Sequence, residues 1–433
     1  MKIAMFSDSY YPRINGVTVS VHSYAVELTK LGHKVAIVCL DYTEEQQRNA
    51  FFDEKKSDAS SPFKIIRIPS QWIIWSDEDR FARFDCWRYL KKQVDAFHPD
   101  LVHGNGEWSI GYLGAMYARH RHLPFIYTFH TMWEDYIANY TSFITSLIPD
   151  KGLRFAGRTL VKFYLKRANL IIAPTKHIAQ VVERYGIDRP VEILPTGIPD
   201  NKFGRYSIFR AQSMQRRLAK KFPAMKNHKI LLYVGRVAYE KNLAFLFDVL
   251  KKVQESEPKA CLIMVGGGPY LDELKELAKE RGLEKSVCFT GYITSKDVIY
   301  LYRMAQVFVF PSKTDTQGLV TIEAMMAGLP VVAIGELGTV DVMQGDNGGF
   351  MVHDDVGEFS EKVVALLKNP KLRRQKSEEG KAWSQQWKIS ALTPRLISCY
   401  ERILGSGIDK NPNSSLNENN KKLKKEENEN EKN

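Results

Sequence analysis

Nowhere does this 433-residue chain stay apolar for the roughly 18 residues that a membrane-spanning helix needs. Its opening lacks the long apolar stretch and small-residue cleavage site of a secretory signal, and reads as a first buried strand. Cysteine is sparse: Cys39, Cys86, Cys261, Cys288 and Cys399 are scattered, odd in number and without close pairing. That pattern excludes a disulfide framework and a zinc site, and leaves buried free thiols in a reducing cytoplasm. There is no dinucleotide fingerprint, no short-period repeat, and no Asp-x-Asp metal motif in a suitable place. Acid is missing from two long stretches. Lys151–Val182 holds seven Lys or Arg and Asn201–Tyr239 holds ten, within a net charge of +12. Such fields favour anionic partners: nucleotide phosphates, nucleic acid or an anionic membrane surface. No aromatic platform accompanies the charge, which argues against nucleic acid.

What is present suits two globular domains. The chain is 44% apolar and 26% charged, and too long for one ordinary core. Short apolar runs alternate with helical patterns. The expected strands are Ile3–Ser7, Lys34–Leu40, Lys64–Ile68, Leu101–His103, Phe125–Phe129, Leu170–Ala173 and Val191–Leu194. A second series follows at Lys229–Val234, Cys261–Val265, Val287–Thr290, Val307–Phe310 and Val331–Ile334. Strands apolar nearly throughout have both faces covered by helices. Alternation of strand and helix implies βαβ units and parallel sheets. The fold class is therefore α/β, with two Rossmann-like doubly wound domains facing each other across a cleft. The expected division is a first domain at 1–200 and a second at 201–385. A helix at 386–409 packs back toward the first domain, and the Asn/Glu/Lys tail at 410–433 is too polar to order. The joint lies near Pro195–Phe203, where Pro-Thr-Gly-Ile-Pro-Asp breaks periodicity. Asp41–Ser61 reads as a polar loop.

Several turns carry chemistry. After the first strand, Gly16 and Val17 open a helix whose N–H groups can approach a phosphate; a tight turn is the plainer explanation. After Leu231–Val234 come Gly235, Arg236 and Lys241, two cations able to clamp a diphosphate and stabilise it as it leaves. Gly266 to Gly268 form another strand–glycine–helix turn, allowing close approach of a nucleotide or of another backbone. The most informative stretch runs from Phe310 to Ala333. Asp315 lies in its turn, Gly318 ends it, Leu319 and Val320 offer free N–H groups, and Glu323 stands two turns along. The two carboxylates can accept hydrogen bonds from sugar hydroxyls on either side of that phosphate.

This stretch resembles the signature of the retaining glycosyltransferases of family four, which have the two-domain GT-B fold. Two acids stand eight positions apart, and Glu323-Ala-Met-Met-Ala-Gly-Leu-Pro-Val-Val follows the family pattern closely. Asp315 departs from it, since many members have Glu there, and the reach to the sugar shortens by one methylene. Arg236 and Lys241 match the family's diphosphate pair, Gly16 its N-terminal loop, and Gly266–Pro269 its glycine turn. The resemblance implies that Glu323 binds the ribose and that Asp315 and His130 bind the sugar. Phe129–Tyr136 reads FHTMWEDY, similar to the YHTMYEDY of bacterial diacylglycerol glucosyltransferases; it places Trp133, Asp135 and Tyr136 on the acceptor side.

The acid-free stretch agrees with that narrower likeness. Lys151, Arg154, Arg158, Lys162 and Lys166 are three or four residues apart and form one stripe of a helix. With Leu153, Leu160, Val161, Tyr164 and Leu165 they make a basic amphipathic surface suited to an anionic bilayer. The expected protein is thus a retaining hexosyltransferase, peripheral on the cytoplasmic face of the membrane. It would move glucose or galactose from a UDP-hexose to a lipid acceptor, 1,2-diacylglycerol being favoured, without metal or other cofactor. Alternatives are the same fold acting on a soluble or polysaccharide acceptor, phosphatidylinositol-type mannosyl transfer, and UDP-sugar epimerisation.

Overall fold

The computed structural model describes residues 1–13, 15–42, 58, 61–73, 76–106, 108–130, 150–204, 209, 212–213, 216, 220, 228–315, 317–345 and 347–405. Among the described residues, the first half holds nine strands: β1 (Lys2–Ser7), β2 (Lys34–Leu40), β3 (Lys64–Ile68), β4 (Ser70–Ile73), β5 (Ser76–Ala82), β6 (Leu101–Gly104), β7 (Phe125–Thr128), β8 (Leu170–Ala173) and β9 (Val191–Ile193). Seven of them make one parallel sheet in the order β3-β2-β1-β6-β7-β8-β9, and β4 and β5 pair as a separate antiparallel ribbon. The second half contributes β10 (Lys229–Val234), β11 (Ala260–Val265), β12 (Val287–Gly291), β13 (Val307–Phe310), β14 (Val331–Ile334) and β15 (Gly349–Val352), ordered β12-β11-β10-β13-β14-β15 and all parallel.

The two doubly wound sheets follow from strand composition. Leu262, Ile263, Val307, Phe308, Val331 and Val332 are fully buried on both faces of the second sheet. Each contributes about 1.5–3 kcal/mol relative to exposure, which only helices on both sides can supply. Each sheet reverses its strand order beside its first strand, at β1/β6 and at β10/β13. In open α/β sheets, ligands bind outside the carboxyl ends of the strands at such a reversal.

Five helices bear on function: α1 (Gly16–Lys30), α2 (Ser109–Arg121), α3 (Asp150–Arg167), α4 (Leu319–Ala327) and α5 (Ile389–Gly405). The last of them leaves the second half and enters the core of the first. Leu392, Leu396, Cys399 and Tyr400 pack with Ile3, Met5, Val21 and Leu28. The Tyr400 hydroxyl lies 2.7 Å from His103 Nδ1 on β6, and His103 Nε2 lies 2.7 Å from the Thr128 hydroxyl on β7. Desolvation holds the buried His103 imidazole down at about 3, so it is neutral at physiological pH. The chain therefore crosses between the lobes twice. Ile198 bridges Lys388 where the two crossings meet, with Ile198 N–H donating to Trp387 O at 2.8 Å and Ile389 N–H to Ile198 O at 2.9 Å. All five cysteines are buried and none forms a disulfide.

Candidate active site

The site is assembled from loops at the carboxyl ends of β1, β7, β10 and β13. After β1, Asn15 caps α1: its side chain accepts from Thr18 N–H at 2.9 Å, and its amide nitrogen donates to Ser9 Oγ at 2.7 Å. That cap leaves the first turn of α1 open at Gly16, which is exposed. A β-carbon placed on Gly16 would sit 3.5 Å from Leu319 Cδ1. The starts of α1 and α4, one from each lobe, thus face each other, and both helix dipoles point their positive ends at one gap. Gly318 turns the chain into α4 at φ 63°, in the left-handed region that favours glycine.

The β10 loop is built against the β11 loop. Gly235 N–H donates to Val265 O at 3.0 Å and Val237 N–H to Gly267 O at 2.9 Å. A β-carbon on Gly266 would lie 1.9 Å from Gly235 O, and one on Gly268 would lie 2.3 Å from Val237 O. These glycines serve the approach of one backbone to another, and so shape the loop that carries Arg236.

Opposite charges meet at three points. Lys241 Nζ lies 2.9 Å from Asp315 Oδ2, joining the β10 and β13 loops. The Thr314 hydroxyl reinforces the junction by donating to Glu240 O at 3.2 Å. Arg236 pairs with Glu240. Glu323 pairs with Lys202, a residue of the interdomain linker, and accepts a hydrogen bond from Tyr302 Oη at 3.2 Å. Burial and the Glu323 charge keep that phenol well above its ordinary range, so Tyr302 stays a donor. Each carboxylate of the signature therefore already holds a cation, and a bound anion would rearrange existing pairs.

His130 stands on the other lobe, just past β7. Its Nε2 lies 3.2 Å from Asn105 Oδ1, while Asn105 Nδ2 donates to His103 O at 3.2 Å. With the amide nitrogen committed to His103, its oxygen must accept, so His130 Nε2 carries the proton and Nδ1 is the acceptor nitrogen. Desolvation pushes His130 down to about 4. Just past β1, the partly buried Asp8 caps α2 by accepting from Ile110 N–H at 2.7 Å and from Trp108 and Gly111 N–H at 3.1 Å. Burial raises its carboxyl above the ordinary range despite these donors.

Known proteins share this plan. Residues 14–202 match the family described as Glycosyltransferase Family 4, and residues 214–383 match Glycosyl transferases group 1. The chain is 30% identical over 371 residues to the alpha-monoglucosyldiacylglycerol synthase of Streptococcus pneumoniae, covering 84% of this chain and 79% of that protein. It is 29% identical over 375 residues to the synthase of the same name from Acholeplasma laidlawii, covering 86% and 89%. This chain belongs to the family 4 glycosyltransferases. Its GT-B fold is shared with Anabaena HepE in complex with UDP-glucose, at TM-score 0.71 and 16% identity over 93% of this chain and 100% of that one.

For this family 4 glycosyltransferase, the structure brings Lys241 to Asp315, Gly16 to Leu319, and Gly266 and Gly268 to the loop of Gly235 and Arg236. Lys202, Tyr302 and Asn105, which hold Glu323 and His130, carry no motif of their own. Trp133, Asp135 and Tyr136 lie outside the described residues, as do the side chains of Lys151 and Arg154. Of the basic stripe, Arg158 and Lys166 are exposed on α3, and the Arg158 guanidinium lies 4.8 Å from the centroid of the Tyr185 ring, with Lys162 Nζ at 5.8 Å. Among the described residues, no helix is long and apolar enough to cross a membrane.

Proposed function

We propose that this glycosyltransferase moves a hexose, glucose or galactose, from a UDP-sugar to 1,2-diacylglycerol at an anionic membrane surface, with retention at the anomeric carbon. The observation that carries the donor site is the meeting of Lys241 and Asp315 at the ends of β10 and β13, facing the start of α1. A diphosphate there takes Lys241 and Arg236 from their carboxylates and accepts from N–H groups at Gly16, Val17, Leu319 and Val320. Asp315, freed of its cation, accepts from a sugar hydroxyl, as does His130 Nδ1 from the opposite wall. Glu323, held by Lys202 and Tyr302, receives the ribose hydroxyls.

The acceptor hydroxyl forms its bond to the anomeric carbon on the face the diphosphate leaves. The breaking C–O bond gives its electron pair to the β-phosphate oxygen, and that oxygen takes the hydroxyl proton. Protein cations and two helix starts neutralise the departing UDP, so the step calls for no divalent metal. The UDP-glucose held by HepE supports a UDP donor, and the two glucosyldiacylglycerol synthases support the lipid acceptor and glucose.

A membrane surface is supported by the basic face of the first lobe. Lys166 of α3 shares an open hollow of about 410 Å³ with Arg119, Arg167 and Arg189, and no carboxylate lines it. Each basic residue near an anionic bilayer contributes about 1 kcal/mol, and salt weakens the attraction. The test is incubation with labelled UDP-glucose, UDP-galactose and GDP-mannose over mixed liposomes containing diacylglycerol, followed by lipid chromatography. A labelled monohexosyl lipid from a UDP-sugar, insensitive to chelator and falling with salt, is expected. Transfer only to soluble acceptors, or sugar interconversion without acceptor, would refute it.

A further inference from the structure

The interdomain linker is gripped from both lobes at neighbouring residues. From α1, Tyr24 Oη donates to the Pro195 carbonyl at 2.7 Å. From the second lobe, Gln317 meets the next residue twice. Its Oε1 accepts from Thr196 N–H at 3.0 Å, and its Nε2 donates to the Thr196 carbonyl at 3.1 Å. Gln317 is 6% exposed and Thr196 5%, so water competes little for these bonds. Gln317 directly precedes Gly318, where the chain turns into α4. The same turn is fixed on its far side by Gly338 N–H donating to Asp315 O at 3.0 Å. A primary amide matched to the N–H and C=O of one residue fixes orientation as well as distance.

We propose, on the UDP-sugar assignment above, that Gln317 is a positioning residue for the transfer reaction. It pins the start of α4 to the linker and so holds the Leu319 and Val320 N–H groups in register with the start of α1. Both helix starts are then tied to consecutive residues of one post, α1 through Tyr24 and α4 through Gln317. Released from Thr196, the turn carrying Asp315 and Leu319 can rock relative to Gly16, and the diphosphate loses simultaneous contact with the two lobes. Gln317 itself touches no reacting atom.

UDP binding by calorimetry and steady-state kinetics of wild type, Gln317→Leu, Gln317→Glu and Tyr24→Phe test this. Gln317→Leu is expected to raise the UDP Kd and donor KM about tenfold, the scale of losing two buried hydrogen bonds, with acceptor KM unchanged. Gln317→Glu can accept from Thr196 N–H but cannot donate to its carbonyl while ionised. Burial at this position, facing the Thr196 carbonyl, raises the introduced carboxyl, so the variant's donor KM, relative to wild type at the same pH, should recover as pH falls from 7.5 to about 5.5. A role confined to stability would lower the melting temperature and leave UDP affinity and that pH recovery unmoved. If Gln317→Leu fails to fold, the Gln317→Glu profile and a weakened UDP affinity in Tyr24→Phe decide. Wild-type UDP affinity in every folded variant, with no pH recovery, overturns the role of Gln317. Absence of UDP binding by the wild type overturns the donor assignment instead.

Discussion

Replacing Lys241 with alanine removes one of two cations assigned to the diphosphate and strands Asp315 without its 2.9 Å partner. Lys241 is only 15% exposed and Asp315 26%, so water replaces the lost contact poorly. A charge-assisted hydrogen bond contributes about 1.5–3 kcal/mol. The uncovered carboxylate adds repulsion, since unit charges about 4 Å apart interact by about 4 kcal/mol at an effective dielectric of about 20. Even the lower figure gives a fall of at least about tenfold in kcat/KM. Initial rates across UDP-sugar concentrations would measure it, with UDP calorimetry alongside. Asp315→Asn and the double variant separate two roles for the lysine. If Lys241 serves only to neutralise Asp315, the double variant recovers; if it holds the diphosphate, the double variant stays slow. A Lys241→Ala protein that melts normally and keeps kcat/KM within about threefold of wild type refutes a diphosphate between the β10 and β13 loops.

Other outcomes follow from the same geometry. Glu323→Gln keeps the shape but loses the charge facing Lys202; because ribose is held alike before and during the reaction, donor KM should rise about tenfold with kcat little changed. Gly266→Ala would drive a β-carbon to 1.9 Å from Gly235 O, so urea denaturation should show a loss of about 1–3 kcal/mol together with weaker UDP binding. His103 and His130 are depressed to about 3 and about 4, below the ordinary 6.5. Their native forms resist protonation while the unfolded chain accepts it, so stability is full above about pH 6.5 and falls as pH drops. By pH 5 the loss should reach about 2 kcal/mol per histidine, seen as a lower urea midpoint that His103→Gln partly abolishes. Turnover should show no inflection near pH 6.5 assignable to His130. Charge reversal of Arg158 and Lys166 should cut co-sedimentation with anionic vesicles while leaving UDP affinity intact, and unchanged co-sedimentation would discard α3 as an attachment face.

Most strands were legible because burial on both faces leaves largely apolar runs: Lys34–Leu40, Leu170–Ala173, Lys229–Val234, Val307–Phe310 and Val331–Ile334 form as expected, as does the half-exposed edge strand Lys64–Ile68. β15 was missed because Gly348 and Gly349 read as a break, yet a β-carbon on Gly349 would lie 1.9 Å from Val331 O in the neighbouring strand. There, glycine is the condition for pairing. The β4–β5 ribbon was missed because Ser-Asp-Glu-Asp-Arg shows no apolar alternation, and a ribbon outside the sheets needs none. Helix α1 starts at Gly16 because the capping Asn15 decides the start and the apolar pattern does not. Around the candidate site, the placement of Arg236, Lys241, Asp315 and Glu323 just beyond strand ends was legible because each follows an apolar run broken by glycine or polar residues. Lys202, 121 residues from Glu323 in sequence, and the Gln317–Thr196 lock were not. Such pairs exist only once two lobes have closed on each other, and no local spacing encodes them.

The last helix has a consequence for how such enzymes can diversify. Its 17 residues are encoded after the second lobe but complete the hydrophobic interior of the first. Recombination that swaps the second lobe as a cassette must import a tail already fitted to a foreign partner, or leave a hydrophobic trench open beside Ile3 and Leu28. Change is therefore accommodated more readily on surface segments of either lobe than by exchanging whole halves.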